Sequence, residues 1–325
     1  MDWIEVKPAG DANKFWWGAA IDSDGSVLMA GGDADTIYLS VNSGASWNNS
    51  KPAGDVVQTW RCAASNSDGS ILIAGSTNKR LWVSINSGTD WNEVRPVNDV
   101  DRNWRCVASD LDGSVLLAGI DSTSVGRLYI SSDFGTNWAE LRPAGDVNKR
   151  WRSVASDSDG SVLIAGENRL HVSTNSGVDW NEVKPAGDVD AVWISVASNA
   201  NGSILVAGMY GGRLYISRNS GVDWGELKPI GEVDKNWQSV TSNSDGSILV
   251  AGGERLYISY NSGTSWDEIW PVEAADSDWR CVKLSTDGSV LMAGEYNGRL
   301  YIGTGEESGT SGSMDLSEDQ IICCL

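Results

Sequence analysis

The stretch Trp3-Ile4-Glu5-Val6-Lys7-Pro8-Ala9-Gly10-Asp11 decides how this chain is read, because it returns almost word for word at Trp180-Asn181-Glu182-Val183-Lys184-Pro185-Ala186-Gly187-Asp188. Looser copies begin at Trp47, Trp91, Trp138, Trp224 and Trp266. All seven prolines (Pro8, Pro52, Pro96, Pro143, Pro185, Pro229, Pro271) hold one position of the unit. A second tryptophan, at 16, 60, 104, 151, 193, 237 and 279, recurs at intervals of 44, 44, 47, 42, 44 and 42 residues. That period is the one expected of a four-stranded propeller blade.

Each unit divides into four strand candidates. The first reads like Trp151-Arg152-Ser153-Val154-Ala155-Ser156 and ends in an Asp-Gly or Asn-Gly pair such as Asp159-Gly160. Such pairs suit the positive φ angles of a type I′ hairpin. The second is continuously apolar, as in Val162-Leu163-Ile164-Ala165-Gly166, which implies burial on both faces. The third resembles Arg255-Leu256-Tyr257-Ile258-Ser259. The fourth is the opening stretch. Its proline cannot donate a ladder hydrogen bond and its charges discourage foreign pairing, so it belongs on the outer edge.

The last unit lacks a fourth strand after Ile302, while the N-terminus carries an orphan one at residues 3–8. The expected fold is all-β: a seven-bladed β-propeller of four-stranded antiparallel blades over residues 1–303, closed by the N-terminal strand completing the last blade. Residues 304–325 carry five acids and no base and are expected to form a disordered acidic tail. The tail's Cys323-Cys324-Leu325 is not a prenylation box, since Ile322 stands where the cysteine must be.

The chain has 44 acidic and 24 basic residues, a net charge of −20. Nucleic-acid binders show a basic footprint instead, and anionic membrane surfaces would repel this charge. No apolar run reaches the ~18 residues of a membrane span. The chain opens directly on a repeat, without a signal peptide, so an intracellular location is expected unless a signal was removed. Cys62, Cys106 and Cys281 share a slot filled elsewhere by Gly18, Ser153, Ser195 and Ser239. Small volume is the common property, so these are read as packed thiols.

Six hairpins carry a fixed pattern: Ser40-Val41-Asn42-Ser43-Gly44-Ala45-Ser46-Trp47, then Ser84–Trp91, Ser131–Trp138, Ser173–Trp180, Ser217–Trp224 and Ser259–Trp266. The pattern resembles the Asp-box (BNR repeat), Ser-x-Asp-x-Gly-x-Thr-Trp, of the sialidase-like propellers. That group includes sialidases, xyloglucan-cleaving hydrolases, sortilin-type receptors and photosystem II assembly factors. The acid survives only at Asp133, with asparagine in the other copies. The resemblance implies that these boxes are structural and lie away from any ligand.

Function is expected on the opposite face, where the strand-four-to-one and two-to-three loops vary. Arg61, Arg105, Arg152 and Arg280 follow first-strand tryptophans, with Trp17 in the same slot of one unit. Tyr210 and Tyr296 lie in the two-to-three loops. A sialidase-like site, as the resemblance implies it, needs an arginine triad, a tyrosine nucleophile beside a glutamate such as Glu295, and an aspartate. The plainer reading makes the arginines packing or salt-bridge residues, and it is preferred; no catalytic residue is assigned. Glycan binding would use Trp16 or Trp17 as a platform among polar groups, although first-strand tryptophans also suit packing between blades. His171, the sole histidine, stands in a tyrosine slot and reads as a core substitute. No zinc spacing, phosphate loop or dinucleotide fingerprint is present, so no metal and no cofactor are expected. The reading is a non-enzymatic recognition module for glycans (lectin-like) or a protein partner. The alternatives are a sialidase-type glycoside hydrolase and an assembly factor like the photosystem II propellers.

Overall fold

The computed structural model describes residues 1–271 and 277–305, so the expected tail lies outside the described residues except for Thr304 and Gly305. The described chain is all β, without a helix. Five antiparallel four-stranded sheets begin at Trp60, Trp104, Ser153, Trp193 and Ser239. The remaining strands join into one larger sheet, because the strand Lys14–Ile21 pairs at its start with the end of Val290–Gly298. Apart from that seam, the larger sheet is two more antiparallel sets of four. The N-terminal strand Asp2–Val6 lies antiparallel to Leu300–Thr304, with Ile4 opposite Ile302.

Burial explains the strand sequences. Every residue of the second strands Leu72–Ser76 and Leu116–Ile120 is buried, which is why alternation is missing there. Fourth strands such as Asn48–Ser50 and Asn181–Val183 are short and largely open. Neighbouring sheets bury their faces against each other. Leu81 and Val83 of the Trp60 unit pack with Trp104, Leu116 and Tyr129 of the next. Val6, Met292, Leu300 and Ile302 pack in the same way on Trp16, Leu28 and Tyr38. Each fully buried aliphatic or aromatic side chain contributes about 1.5–3 kcal/mol.

A backbone circuit ties the units together at the Asp-Gly end of the first strands. Ser23 N donates to Ser67 O, Ser67 to Leu111, Leu111 to Ser158, Ser158 to Ala200, Ala200 to Ser244, Ser244 to Thr286, and Thr286 back to Ser23, at 2.8–3.0 Å. The small slot has an equally direct cause. Cys62 Sγ approaches Trp104 O of the next unit at 3.7 Å, and Ser195 Oγ donates to Trp237 O at 2.9 Å. A Cβ on Gly18 would stand 3.1 Å from the Cys62 backbone, so that copy has no room for more.

Two local expectations are corrected. The Asp-Gly pairs are not type I′ turns: Gly25, Gly69 and Gly160 have positive φ, whereas the preceding aspartates do not. They are four-residue loops built on a type I turn with a left-handed glycine, and Asp24 Oδ1 accepts Ser26 N at 2.9 Å to hold the bend. The doubled positive φ belongs instead to the Ser-x-Asn-x-Gly hairpins, at Ser43 (54°) and Gly44 (82°), where Ala45 N donates to Asn42 O at 3.0 Å. The prolines also lie just beyond the fourth strands, not within them. Pro8 follows Asp2–Val6 and starts a turn in which Gly10 N donates to Lys7 O at 3.0 Å. Its fixed φ favours that turn position and ends the strand.

Candidate functional site

Two sets of hydrogen bonds sort the loops by end. The Ser-x-Asn-x-Gly hairpins lie against the Asp-Gly turns of their own units, as Ser43 N donates to Ser26 O at 3.0 Å. Within each hairpin the serine hydroxyl takes the glycine amide (Ser40 Oγ and Gly44 N, 2.9 Å) and the asparagine carbonyl takes Ser46 N at 2.9 Å. In five of the six the tryptophan indole then donates to the glycine carbonyl, as Trp47 Nε1 does to Gly44 O at 3.1 Å, while Trp91 Nε1 donates to Ser50 Oγ at 2.8 Å. The pattern is spent on holding the turn and offers no reactive group. At the other end, the two-to-three loops bridge to the following four-to-one loops, as in Asp35 with Gln58 and Lys79 with Arg102.

That second end carries the candidate site. Several first strands open with a β-bulge, between Trp16 and Gly18, Trp60 and Cys62, Trp104 and Cys106, and Trp279 and Cys281. A bulge inserts an unpaired residue and re-aims its side chain. The inserted residues are Trp17, Arg61, Arg105 and Arg280. Together with Arg152 they line one cavity of about 130 Å³, walled by the first strands of all the repeat units.

The tryptophan is the hub of this cluster. The guanidinium carbons of Arg61, Arg280 and Arg105 lie 3.8, 4.9 and 6.0 Å from the centre of the Trp17 ring. Arg280 also sits 4.1 Å from the Tyr296 ring, and Tyr296 meets Trp17 edge-on at 5.3 Å and Phe15 at 4.6 Å. Arg280 is neutralised by Asp278, which accepts from Nε at 2.8 Å and from a terminal nitrogen at 2.6 Å. Arg152 reaches Asp121 only at 4.0 Å, and that carboxylate is already held by Arg150. Among the described residues Arg61 and Arg105 have no carboxylate within ion-pair distance, and burial pulls the Arg61 pKa below its ordinary value. Trp17 Nε1 and Arg152 Nε are buried donors without an acceptor among the described residues. The cluster is rich in donors and poor in acceptors, in a chain of net charge −20.

Not every candidate joins it. Trp16 is 2% exposed, meets Tyr38 edge-on at 5.8 Å, and donates Nε1 to Gly298 O at 3.2 Å. It is a clamp between units and presents no face to a ligand. Its counterparts from Trp60 to Trp279 are likewise buried, so none of these seven rings is open to a sugar. Tyr210 is 53% exposed on its loop and does not line the cavity. His171, 2% exposed and 5.5 Å edge-on from Trp151, occupies the core position expected of it. Lys283 was not singled out by the motifs, yet it lines the same cavity. Aligning the first strands would have flagged it, since alanine or threonine holds that position in the other six units.

Glu295 and Tyr296 are not set as the tyrosine–glutamate pair that a sialidase-type mechanism requires. Glu295 and Tyr296 are consecutive in the strand Val290–Gly298, and consecutive strand residues point to opposite faces. The Glu295 carboxylate instead accepts Ser277 Oγ at 2.5 Å and Arg299 N at 2.9 Å, fastening its own loop. Among the described residues no group of acids, cysteines or histidine has the arrangement of a metal site. Among the described residues no helix is long and apolar enough to cross a membrane.

No family model matches this chain, and no curated protein is similar to it in sequence. Among solved structures it is similar to YCF48 bound to a D1 peptide, with a TM-score of 0.69 and 15% identity over 94% of this chain and 95% of that one. YCF48 from Cyanidioschyzon merolae gives a TM-score of 0.68 and 14% identity over 93% and 98%. The GH74 xyloglucanase from Xanthomonas campestris gives 0.70 and 18% over 92% and 53%, so this chain spans about half the length of that enzyme. At such identities the likeness is one of fold, and the fold is that of a β-propeller.

Proposed function

We propose that this chain is a seven-bladed β-propeller closed by its N-terminal strand, and that it acts as a non-enzymatic recognition module docking an acidic segment of a protein partner over the arginine-lined mouth. The observation that carries this reading is the charge pattern. Four arginines converge on one cavity of a strongly acidic chain, and two of them have no carboxylate partner among the described residues. A guanidinium left without a counter-ion beside aromatic rings favours carboxylates, which it can grip through two parallel hydrogen bonds. The acidic remainder of the surface would repel the same partner elsewhere and so restrict it to the mouth. A structure of similar fold, YCF48, is bound to a D1 peptide, which supports a peptide as the class of occupant.

The test is fluorescence polarisation of labelled acidic peptides against the full chain at low and high salt. Expected are binding that weakens with salt and a loss of roughly tenfold or more in the Arg61→Ala/Arg105→Ala double variant, since removing a charge-assisted pair costs about 1.5–3 kcal/mol. Binding indifferent to both changes would overturn the reading. A glycan array run beside it addresses the lectin alternative: signal abolished by Trp17→Ala would move the assignment to sugars. Time-dependent loss of that signal on sialosides would move it to a hydrolase.

A further inference from the structure

Lys283 lies deeper in the same cavity and breaks the repeat. The equivalent residues of the other units are Ala20, Ala64, Ala108, Ala155, Ala197 and Thr241. Lys283 lines both the arginine-ringed cavity and the adjoining one of about 180 Å³, whose wall includes those small residues. Among the described residues the Lys283 side chain forms no ion pair and no hydrogen bond; it is partly buried, and desolvation pulls its pKa below the ordinary 10.5. A cation withdrawn from water without a partner is costly. Packing does not require the lysine, because alanine fills the same place in most of the ring.

We infer that Lys283 is the deep contact of a small-anion site, and that Arg61, Arg105, Arg152 and Arg280 form its outer wall and accept a dianion of the phosphate class. The ammonium supplies a compact charge with three donors, while guanidinium forks suit phosphate oxygens. The cavity of about 130 Å³ has room for an orthophosphate or a terminal phosphate group. Low-dielectric walls lined by one sign of charge focus the field on the cavity. The unmatched donors Trp17 Nε1 and Arg152 Nε, both buried beside the cavity, also call for an acceptor. The inference rests on the cationic mouth of the proposed function and is independent of any peptide docking there.

The test is calorimetric titration of the full chain, at fixed ionic strength, with inorganic phosphate, glycerol phosphate and acetate. Expected is one phosphate site per chain, weakened tenfold or more in Lys283→Ala, with Lys184→Ala as an exposed-lysine control that binds like the parent. The alanine variant should fold, since five units already carry alanine there. Tighter binding of glycerol phosphate than of inorganic phosphate assigns a phosphate monoester as the source, and the reverse assigns the free anion. Absence of phosphate binding, equal binding in Lys283→Ala, or acetate binding as tightly as phosphate would each overturn the inference. Titrating the acidic peptide into Lys283→Ala separates the two readings: a variant that keeps the peptide but loses phosphate supports the deep site alone.

Discussion

The guanidinium carbon of Arg61 stands 3.8 Å from the centre of the Trp17 ring, joining the first strands of two adjacent repeat units through a cation stacked on an indole. The aromatic face attracts cations without adding a carboxylate, so Arg61 and Arg105 gather round it while keeping their charge for another partner. Trp17→Arg would place a fifth guanidinium there and remove the shared ring. Its expected cost is about 1–2 kcal/mol at low salt, shrinking as salt screens the repulsion. Urea melts at two ionic strengths check this. Unaltered stability would show that the ring does not hold the cluster together.

Asp110 is 5% exposed, and its carboxylate accepts Val115 N at 3.0 Å and Ser114 Oγ at 3.1 Å. Burial is the main cause that pushes its pKa from 3.8 up to about 6. The folded form therefore holds its proton to a higher pH than the unfolded form does, so stability falls as pH rises from about 4 to about 6 and is flat beyond. Asn66, Asn199 and Asn243 make the same bond, to Ile71 N, Ile204 N and Ile248 N at 2.9 Å, without a charge. Asp110→Asn is expected to gain roughly 1–3 kcal/mol at pH 7 and nothing below pH 4. Chemical denaturation across that range tests both halves of the statement.

The shared small slot predicts a mild substitution. Cys62 Sγ stands 3.7 Å from Trp104 O, while Ser153 Oγ and Ser195 Oγ reach Trp193 O and Trp237 O at 3.3 and 2.9 Å. Cys62→Ser should stay within about 1 kcal/mol of the parent, since the hydroxyl finds the same carbonyl. Burial pushes the Cys62 and Cys281 thiols up to about 12 and the Cys106 thiol well above its usual value. All three are expected to resist alkylation until the chain is denatured, which mass mapping of the labelled cysteines would reveal.

Removing residues 1–8 tests the proposed closure. The lost strand pairs from Asp2 to Val6 with Leu300–Thr304, and Val6 packs with Trp16, Leu28 and Ile302. The expected loss is at least about 3 kcal/mol from buried side chains alone, together with a bare strand edge that invites association. A truncated chain that melts and sediments like the intact one would contradict closure by the N-terminal strand.

The sequence alone determined the repeat, its four-strand grammar, the orphan strand at residues 3–8 and the small slot at Cys62, because periodicity, apolar runs and side-chain volume are local properties. It also marked the slot in which Trp17 replaces an arginine. Tertiary structure decided what those positions do. Residues about 44 apart meet only because neighbouring sheets pack face to face and the backbone circuit returns from Thr286 to Ser23. That packing buries Trp16 while the bulge beside it turns Trp17 into the cavity. The Glu295 carboxylate faces away from Tyr296 because consecutive strand residues diverge. Lys283 acquires its meaning only where alanines from other units surround it, since a charge is costly or useful according to what lies around it and not according to its neighbours in the chain.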